Sequence, residues 1–160
     1  MRLPFFVIVA VITLCSFGVQ REKTVKLRDK DFTYYEYKVS NGYAGSSVTY
    51  TIYVEEGVVK ARYTECNYMM MQDDTDPCVE QAVSDVPQKK LREIGKLLVD
   101  ANVQSWESYY VEPDVFDGDN WSVNVKFGDC SFYSSGYMKW PDKAPFRSIN
   151  RIIKEICNQK

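Results

Sequence analysis

Residues 47–54, S-V-T-Y-T-I-Y-V, decide the fold of this chain. Val48, Tyr50, Ile52 and Val54 fall on one side of an extended backbone, and Ser47, Thr49, Thr51 and Tyr53 on the other. A period of two held over eight residues predicts a half-buried strand. Glu55-Glu56-Gly57 follows as a tight turn, with Gly available for positive φ. Val59, Ala61 and Tyr63 then alternate with Lys60, Arg62 and Thr64, which predicts the return strand of a hairpin.

Upstream, residues 32–39 are dense in aromatics (Phe32, Tyr34, Tyr35, Tyr37) and predict one more strand. Asn41-Gly42 and Gly45 mark the turn out of it. Downstream, Trp121, Val123, Val125 and Phe127 alternate with Ser122, Asn124 and Lys126, Gly128-Asp129 turns, and residues 130–135 return. A helix after Pro87 carries Leu91, Ile94, Leu98 and Ala101 on one face, with Gly95 weakening its propensity. Pro141 and Pro145 lead into a last helix with Phe146, Ile149, Ile153 and Ile156 at helical spacing. Each helix has one apolar face to bury. The expected fold is therefore α+β: an antiparallel sheet of about five strands with both helices on one face, in β-ββα-ββα order.

The chain has 160 residues, 20 Lys+Arg against 22 Asp+Glu, and no histidine. That length suits one domain. Without His, Ser-His-Asp and Cys-His catalysis and His-based zinc sites are excluded. A net charge of -2 gives no electrostatic footprint for nucleic acid. No metal or other cofactor is expected.

Residues 1–18 read as a signal peptide. Arg2 supplies the positive start, residues 5–14 (FFVIVAVITL) are apolar except Thr13, and Ser16 and Gly18 are small at the positions a signal peptidase requires. The apolar run is shorter than the roughly 20 residues of a membrane-spanning helix. A rival reading makes Cys15 an acylated N-terminus, although Leu14 stands where a small residue should precede it. Residues 19–30 then form a charged tether, and 31–160 a single domain. After cleavage Cys66, Cys78, Cys130 and Cys157 remain, an even number for an oxidising compartment. Three connectivities are open to four cysteines. Cys66 with Cys78, closing a short loop, and Cys130 with Cys157, tying a strand to the last helix, are the favoured pairs. The spacings do not suit a four-thiolate zinc site.

From about Leu91 onward the sequence resembles a family of uncharacterised bacterial domains, often exported. The shared pattern is D-V-x-D-G-x-x-W followed by S-G-x-x-x-x-P. It falls here on Asp114, Val115, Asp117, Gly118, Trp121, Ser135, Gly136 and Pro141, with Trp106 ahead of it. The resemblance implies a bacterial envelope setting and brings no activity with it. Cys130 departs from the pattern, which has a polar residue there.

Two acidic clusters invite a metal reading. Asp114, Asp117 and Asp119, beside Gly118 and Asn120, lack the D-x-D-x-D-G order of a calcium loop and read as turn chemistry. Asp73, Asp74 and Asp76 lie in the Cys66-to-Cys78 loop next to Tyr68, Met69, Met70 and Met71. Asn120-Trp121-Ser122 matches a glycosylation sequon, which matters only in a eukaryotic host. Tyr53 points to the expected solvent face of the sheet, where Tyr35 and Tyr37 are candidates to join it. Tyr offers large contact area at low entropic cost, and Met adapts to irregular partners. Tyr53, Tyr68, Met69, Met70 and Met71 are thus the candidate interaction surface. The functional expectation is a non-enzymatic exported module binding an unknown protein or glycan. The alternatives are a structural or assembly component of the cell envelope, lipid-anchored at Cys15, and last a carboxylate-based hydrolase.

Overall fold

A computed structural model of the protein describes residues 26–70 and 76–158. The proposed signal peptide, Cys15 and most of the proposed tether lie outside the described residues. The described chain forms β1 (Phe32–Asn41), β2 (Ser46–Glu55), β3 (Val58–Asn67), β4 (Cys78–Val83), α1 (Gln88–Asp100), β5 (Tyr109–Val111), β6 (Asp119–Phe127), β7 (Cys130–Tyr137) and α2 (Lys143–Cys157). All seven strands join one sheet in the order β4-β3-β2-β1-β6-β7-β5.

This corrects the expected fold in three respects. Among the described residues there are seven strands, not about five; the sheet is mixed, because β5 runs parallel to β7; and β4 and β5 break the β-ββα-ββα order. Each extra strand has a local cause. β4 is held beside β3 by the Cys66–Cys78 disulfide, whose cysteines face each other across the ladder. β5 is three residues long and pairs with Ser135, Gly136 and Tyr137, so the ladder of its neighbour defines it more than any pattern of its own.

The hairpins follow from their turns. Glu56 and Gly57 both take positive φ, as a two-residue turn matched to strand twist requires, and Gly128 does so between β6 and β7. β1 occupies the centre of the sheet, with Tyr35 opposite Ile52 of β2 and Val125 of β6. Tyr35, Ile52 and Val125 are completely buried, as are Ile94 and Leu98 of α1 and Ile149 and Ile153 of α2. Burying each such side chain contributes roughly 1.5–3 kcal/mol. The Tyr35 hydroxyl donates to Asn150 Oδ1 at 2.9 Å, which satisfies the one polar atom that burial would orphan.

Both helices cover the face that carries Tyr35, Tyr37 and Ile52. Tyr35 and Tyr37 are therefore core residues and do not join Tyr53 on the solvent side, contrary to expectation. Phe146 of α2 lies 4.9 Å from Tyr37, 5.1 Å from Trp106 and 5.6 Å from Trp121, centroid to centroid, and anchors the helix start over β1 and β6. Asp142 caps that helix by accepting from the Ala144 N–H at 2.9 Å. Ahead of β1, Leu27 packs against the core and Asp29–Asp31 form a 3-10 turn under α1, so the end of the proposed tether is part of the folded body.

Cys130 and Cys157 do not join each other. Cys130 opens β7, whereas Cys157 ends α2 beside Glu80, Gln81 and Ala82 of β4. From β4 to β7 is five strand spacings, about 24 Å. A disulfide spans at most about 7 Å between Cα atoms.

Candidate interaction surface

Strand register sorts the candidate residues into two places. The solvent side of the sheet carries Tyr34, Glu36 and Lys38 of β1, Thr49, Thr51 and Tyr53 of β2, and Lys60 and Arg62 of β3. Tyr53 stands between Tyr34 and Lys60 there and is half-buried. Lys126 Nζ sits 5.1 Å from the centre of the Tyr34 ring, and the Tyr34 hydroxyl donates to Glu36 at 3.0 Å. Burial first, then the hydrogen bond to Glu36 and its negative charge, push the Tyr34 phenol up to about 12. This part of the face is a ladder of tied polar groups.

Tyr68 and Met69 lie elsewhere, at the end of the sheet where β2 begins and β3 finishes. Tyr53 is seven residues along β2 from that end, about 23 Å. The sequence candidates thus do not form one patch. The side chain of Met70, and Met71, Asp73 and Asp74, lie outside the described residues. Tyr68 is tied down through its backbone, whose N–H donates to the Gly45 carbonyl at 2.7 Å. A Cβ at Gly45 would come within 2.6 Å of Met69 Cγ, so the Cys66–Cys78 loop rests directly on the β1–β2 turn.

That end of the sheet gathers further apolar groups that sequence reasoning missed. Phe116 is 93% exposed, Tyr43 81%, Met69 73% and Tyr68 48%. Tyr43 lies in the turn after Asn41, and Phe116 three residues before Asp119, which pairs with Asn41. Asn41 Nδ2 also donates to Asp119 Oδ1 at 3.0 Å, fastening the two loop bases together. The segments at 43, 68–69 and 116 present exposed apolar side chains at this end of the sheet, whereas Val111 of β5 lies five strand spacings from β3, about 24 Å away. Glu112, Asp114 and Asp117 flank Val111 and Phe116 in sequence and are exposed. An aromatic inside a Pro-, Asp- and Gly-rich loop, with no periodicity to explain it, was the available signal for Phe116.

The remaining sequence candidates have structural roles. Asp119 opens β6, and Asp76 accepts from the Cys78 N–H at 2.9 Å. Trp121 and Gly136 pack directly on each other. Trp121 Nε1 donates to the Lys139 carbonyl at 2.7 Å, and its indole crosses Gly136 so closely that a Cβ there would meet Nε1 at 2.6 Å and the Tyr110 carbonyl at 2.7 Å. Asn120 is exposed at the start of β6. Two carboxylates, Asp85 and Glu155, line a groove of about 290 Å³ where α1 and α2 meet the end of β4, and Glu155 there is 3.8 Å from Arg151. Among the described residues no helix is long and apolar enough to cross a membrane.

No family model matches the chain, and no curated protein matches it.

Proposed function

We propose that the chain is an exported, non-enzymatic binding module whose partner is a protein, engaged through the apolar rim at the end of the sheet. The observation that carries this reading is the exposure of Phe116, Tyr43 and Met69 on loops that all leave the same end of the sheet. A large side chain of this kind offers roughly 150–250 Å² of contact, so the three present on the order of 500 Å². The largest apolar patch on a typical monomer, often functional, is about 300–600 Å². A standard interface covers about 800 Å² per partner. The rim is thus large enough for the apolar centre of an interface, with the acidic residues that flank Phe116 as the polar border.

The chemistry of the rim favours protein over glycan. Met69 adds flexible aliphatic surface, which suits side chains better than the flat faces of sugar rings. The acidic border opposes an anionic lipid surface and suits a basic one. The leader-like N-terminus and the Cys66–Cys78 disulfide support an oxidising compartment.

The test is affinity capture from an extract of the native compartment, with wild type compared against a Phe116→Ser, Met69→Ser double variant. Both positions are exposed, so the variant should melt within about 0.5 kcal/mol of wild type. A discrete protein recovered at least tenfold less with the variant is the expected outcome. Equal recovery would remove the rim from the function.

A further inference from the structure

The sheet has an unfinished edge. β7 spans eight residues, Cys130–Tyr137, but β5 pairs only with Ser135, Gly136 and Tyr137. The β6–β7 hairpin closes on the Phe127–Cys130 pair through two turn residues. In such a hairpin the closing residues exchange both backbone hydrogen bonds, and alternate residues face the other way. Cys130, Phe132 and Ser134 therefore bond to β6, while Ser131 and Tyr133 turn their N–H and C=O groups outward. The outward pattern is visible further along the strand. Ser135 N–H donates to the Ser108 carbonyl at 3.0 Å, and the Tyr137 carbonyl accepts from Glu112 N–H at 3.0 Å. At Ser131 and Tyr133 no element of the described chain lies alongside, because residues 103–106 swing away over the helix side.

The space they leave is a cleft of about 220 Å³, bounded by Val103, Gln104, Trp106, Phe132 and Tyr133. Ligand pockets for small molecules run to roughly 300–1,000 Å³. A cleft of this size suits one large apolar side chain. Val103, Trp106, Val123 and Phe132 give it an apolar side and Gln104, Ser131 and Ser134 a polar one, while Tyr133, 60% exposed, turns its ring to the opposite face of the sheet. Exposed acids bracket the open stretch: Asp129 before Cys130, and Glu107, whose carbonyl accepts from Ser134 Oγ at 2.7 Å. Lys126, opposite Ser131 on β6, has its ammonium over the Tyr34 ring on the β1 side, away from this edge.

We infer that the open half of β7 is a docking edge for an extended peptide segment of a partner protein, which adds a short strand in line with β5. The segment places one aromatic or large aliphatic side chain in the Trp106–Phe132 cleft, with basic residues flanking it to meet Asp129 and Glu107. Main-chain hydrogen bonds to Ser131 and Tyr133 supply affinity, and the cleft supplies selectivity. This edge is separate from the Phe116 rim and does not depend on the rim's being functional.

The probe is a phage-displayed library of random twelve-residue linear peptides, panned on the folded domain. Tyr133→Pro removes an outward N–H without touching the β6 ladder, since proline is tolerated where the N–H faces solvent. Selected peptides should combine a large apolar residue with flanking Lys or Arg, and bind Tyr133→Pro at least tenfold more weakly. Their binding should survive Phe116→Ser. Hydrogen exchange on wild type is the second readout: the Ser131 and Tyr133 amides exchange fast in the free domain and slow down when a selected peptide binds. Failure to enrich any sequence, equal binding to Tyr133→Pro, or slow exchange of those two amides in the free domain would each overturn the inference. Peptides lost on Phe116→Ser but kept on Tyr133→Pro would assign peptide binding to the rim and leave this edge without a role.

Discussion

Replacing Gly95 by Ala tests the packing of the first helix against the start of the sheet. In the middle of an exposed helix this change stabilises by about 1 kcal/mol, because Gly is a poor helix former. Gly95 is buried, however, and a Cβ built on it would lie 2.8 Å from the Asp29 carbonyl oxygen and 2.8 Å from Phe32 Cβ. Carbon atoms in contact sit at about 3.5–4.0 Å, so the overlap is roughly 0.7 Å or more. Neither neighbour is the loose end of a side chain. One is backbone of the Asp29–Asp31 turn, and the other is fixed to the central strand of the sheet. Overpacking of this kind costs about 1–3 kcal/mol. The clash outweighs the propensity gain, for a net destabilisation of about 1 kcal/mol. A domain of this size converts that to a fall in Tm of about 4 °C. The matched control is Gly42→Ala, where no atom lies within 4 Å of the added methyl, so Tm should hold or rise slightly. Both are read by differential scanning calorimetry. A Gly95→Ala variant that melts above wild type would refute the close approach of α1 to this turn.

The remaining predictions concern sulfur and pH. Reducing the Cys66–Cys78 bridge, or replacing both cysteines by Ser, should lower unfolding stability by about 3 kcal/mol, the loop-closure value for a loop near this length; an unchanged urea midpoint in reductant would contradict it. Non-reducing peptide mapping should recover the Cys66–Cys78 link and no Cys130–Cys157 link, and finding the latter would require a different strand order. Burial, chiefly, raises the phenol pKa values of Tyr34, Tyr35, Tyr37, Tyr50 and Tyr63 in the folded state, that of Tyr34 to about 12. A raised folded-state pKa keeps its stabilisation in full below about pH 10 and loses it as pH climbs above that. The urea midpoint should therefore be lower at pH 11 than at pH 9, and equal midpoints would argue that these phenols are solvated.

The parts of the fold that announce themselves in the sequence are those with a clean period and a diagnostic turn. β2 alternates from Ser47 to Val54 and β3 from Val59 to Thr64 around Glu56-Gly57, and β6 alternates from Trp121 to Phe127. β4 hides because its sheet neighbours, not its own residues, decide its burial. Val79, Gln81 and Val83 share the helix side, yet Val79 lies beyond the helices and is exposed. β5 is too short to carry a period at all. In β1 aromatics occupy both faces, and a register shift between Phe32 and Tyr34 breaks the alternation, so Tyr35 and Tyr34 could not be assigned to sides from their types. Of the two favoured cysteine pairs Cys66–Cys78 is present, and Cys130–Cys157 failed for a topological reason: a strand and a helix can be named from sequence, but the five spacings between β4 and β7 cannot. The rim was half legible. Tyr68 and Met69 stood out as costly to expose, whereas Tyr43 and Phe116 sit in turns whose proximity depends on β1 pairing with β6 some eighty residues away in sequence.

The rim's role is tested most directly by photo-cross-linking in the native cell, with benzoylphenylalanine in place of Phe116 and, separately, in place of Lys30 in the Asp29–Asp31 turn at the far end of the sheet. The account predicts one discrete protein adduct from position 116 and none of that mass from position 30. No adduct from position 116, or the same adduct from both, would contradict it.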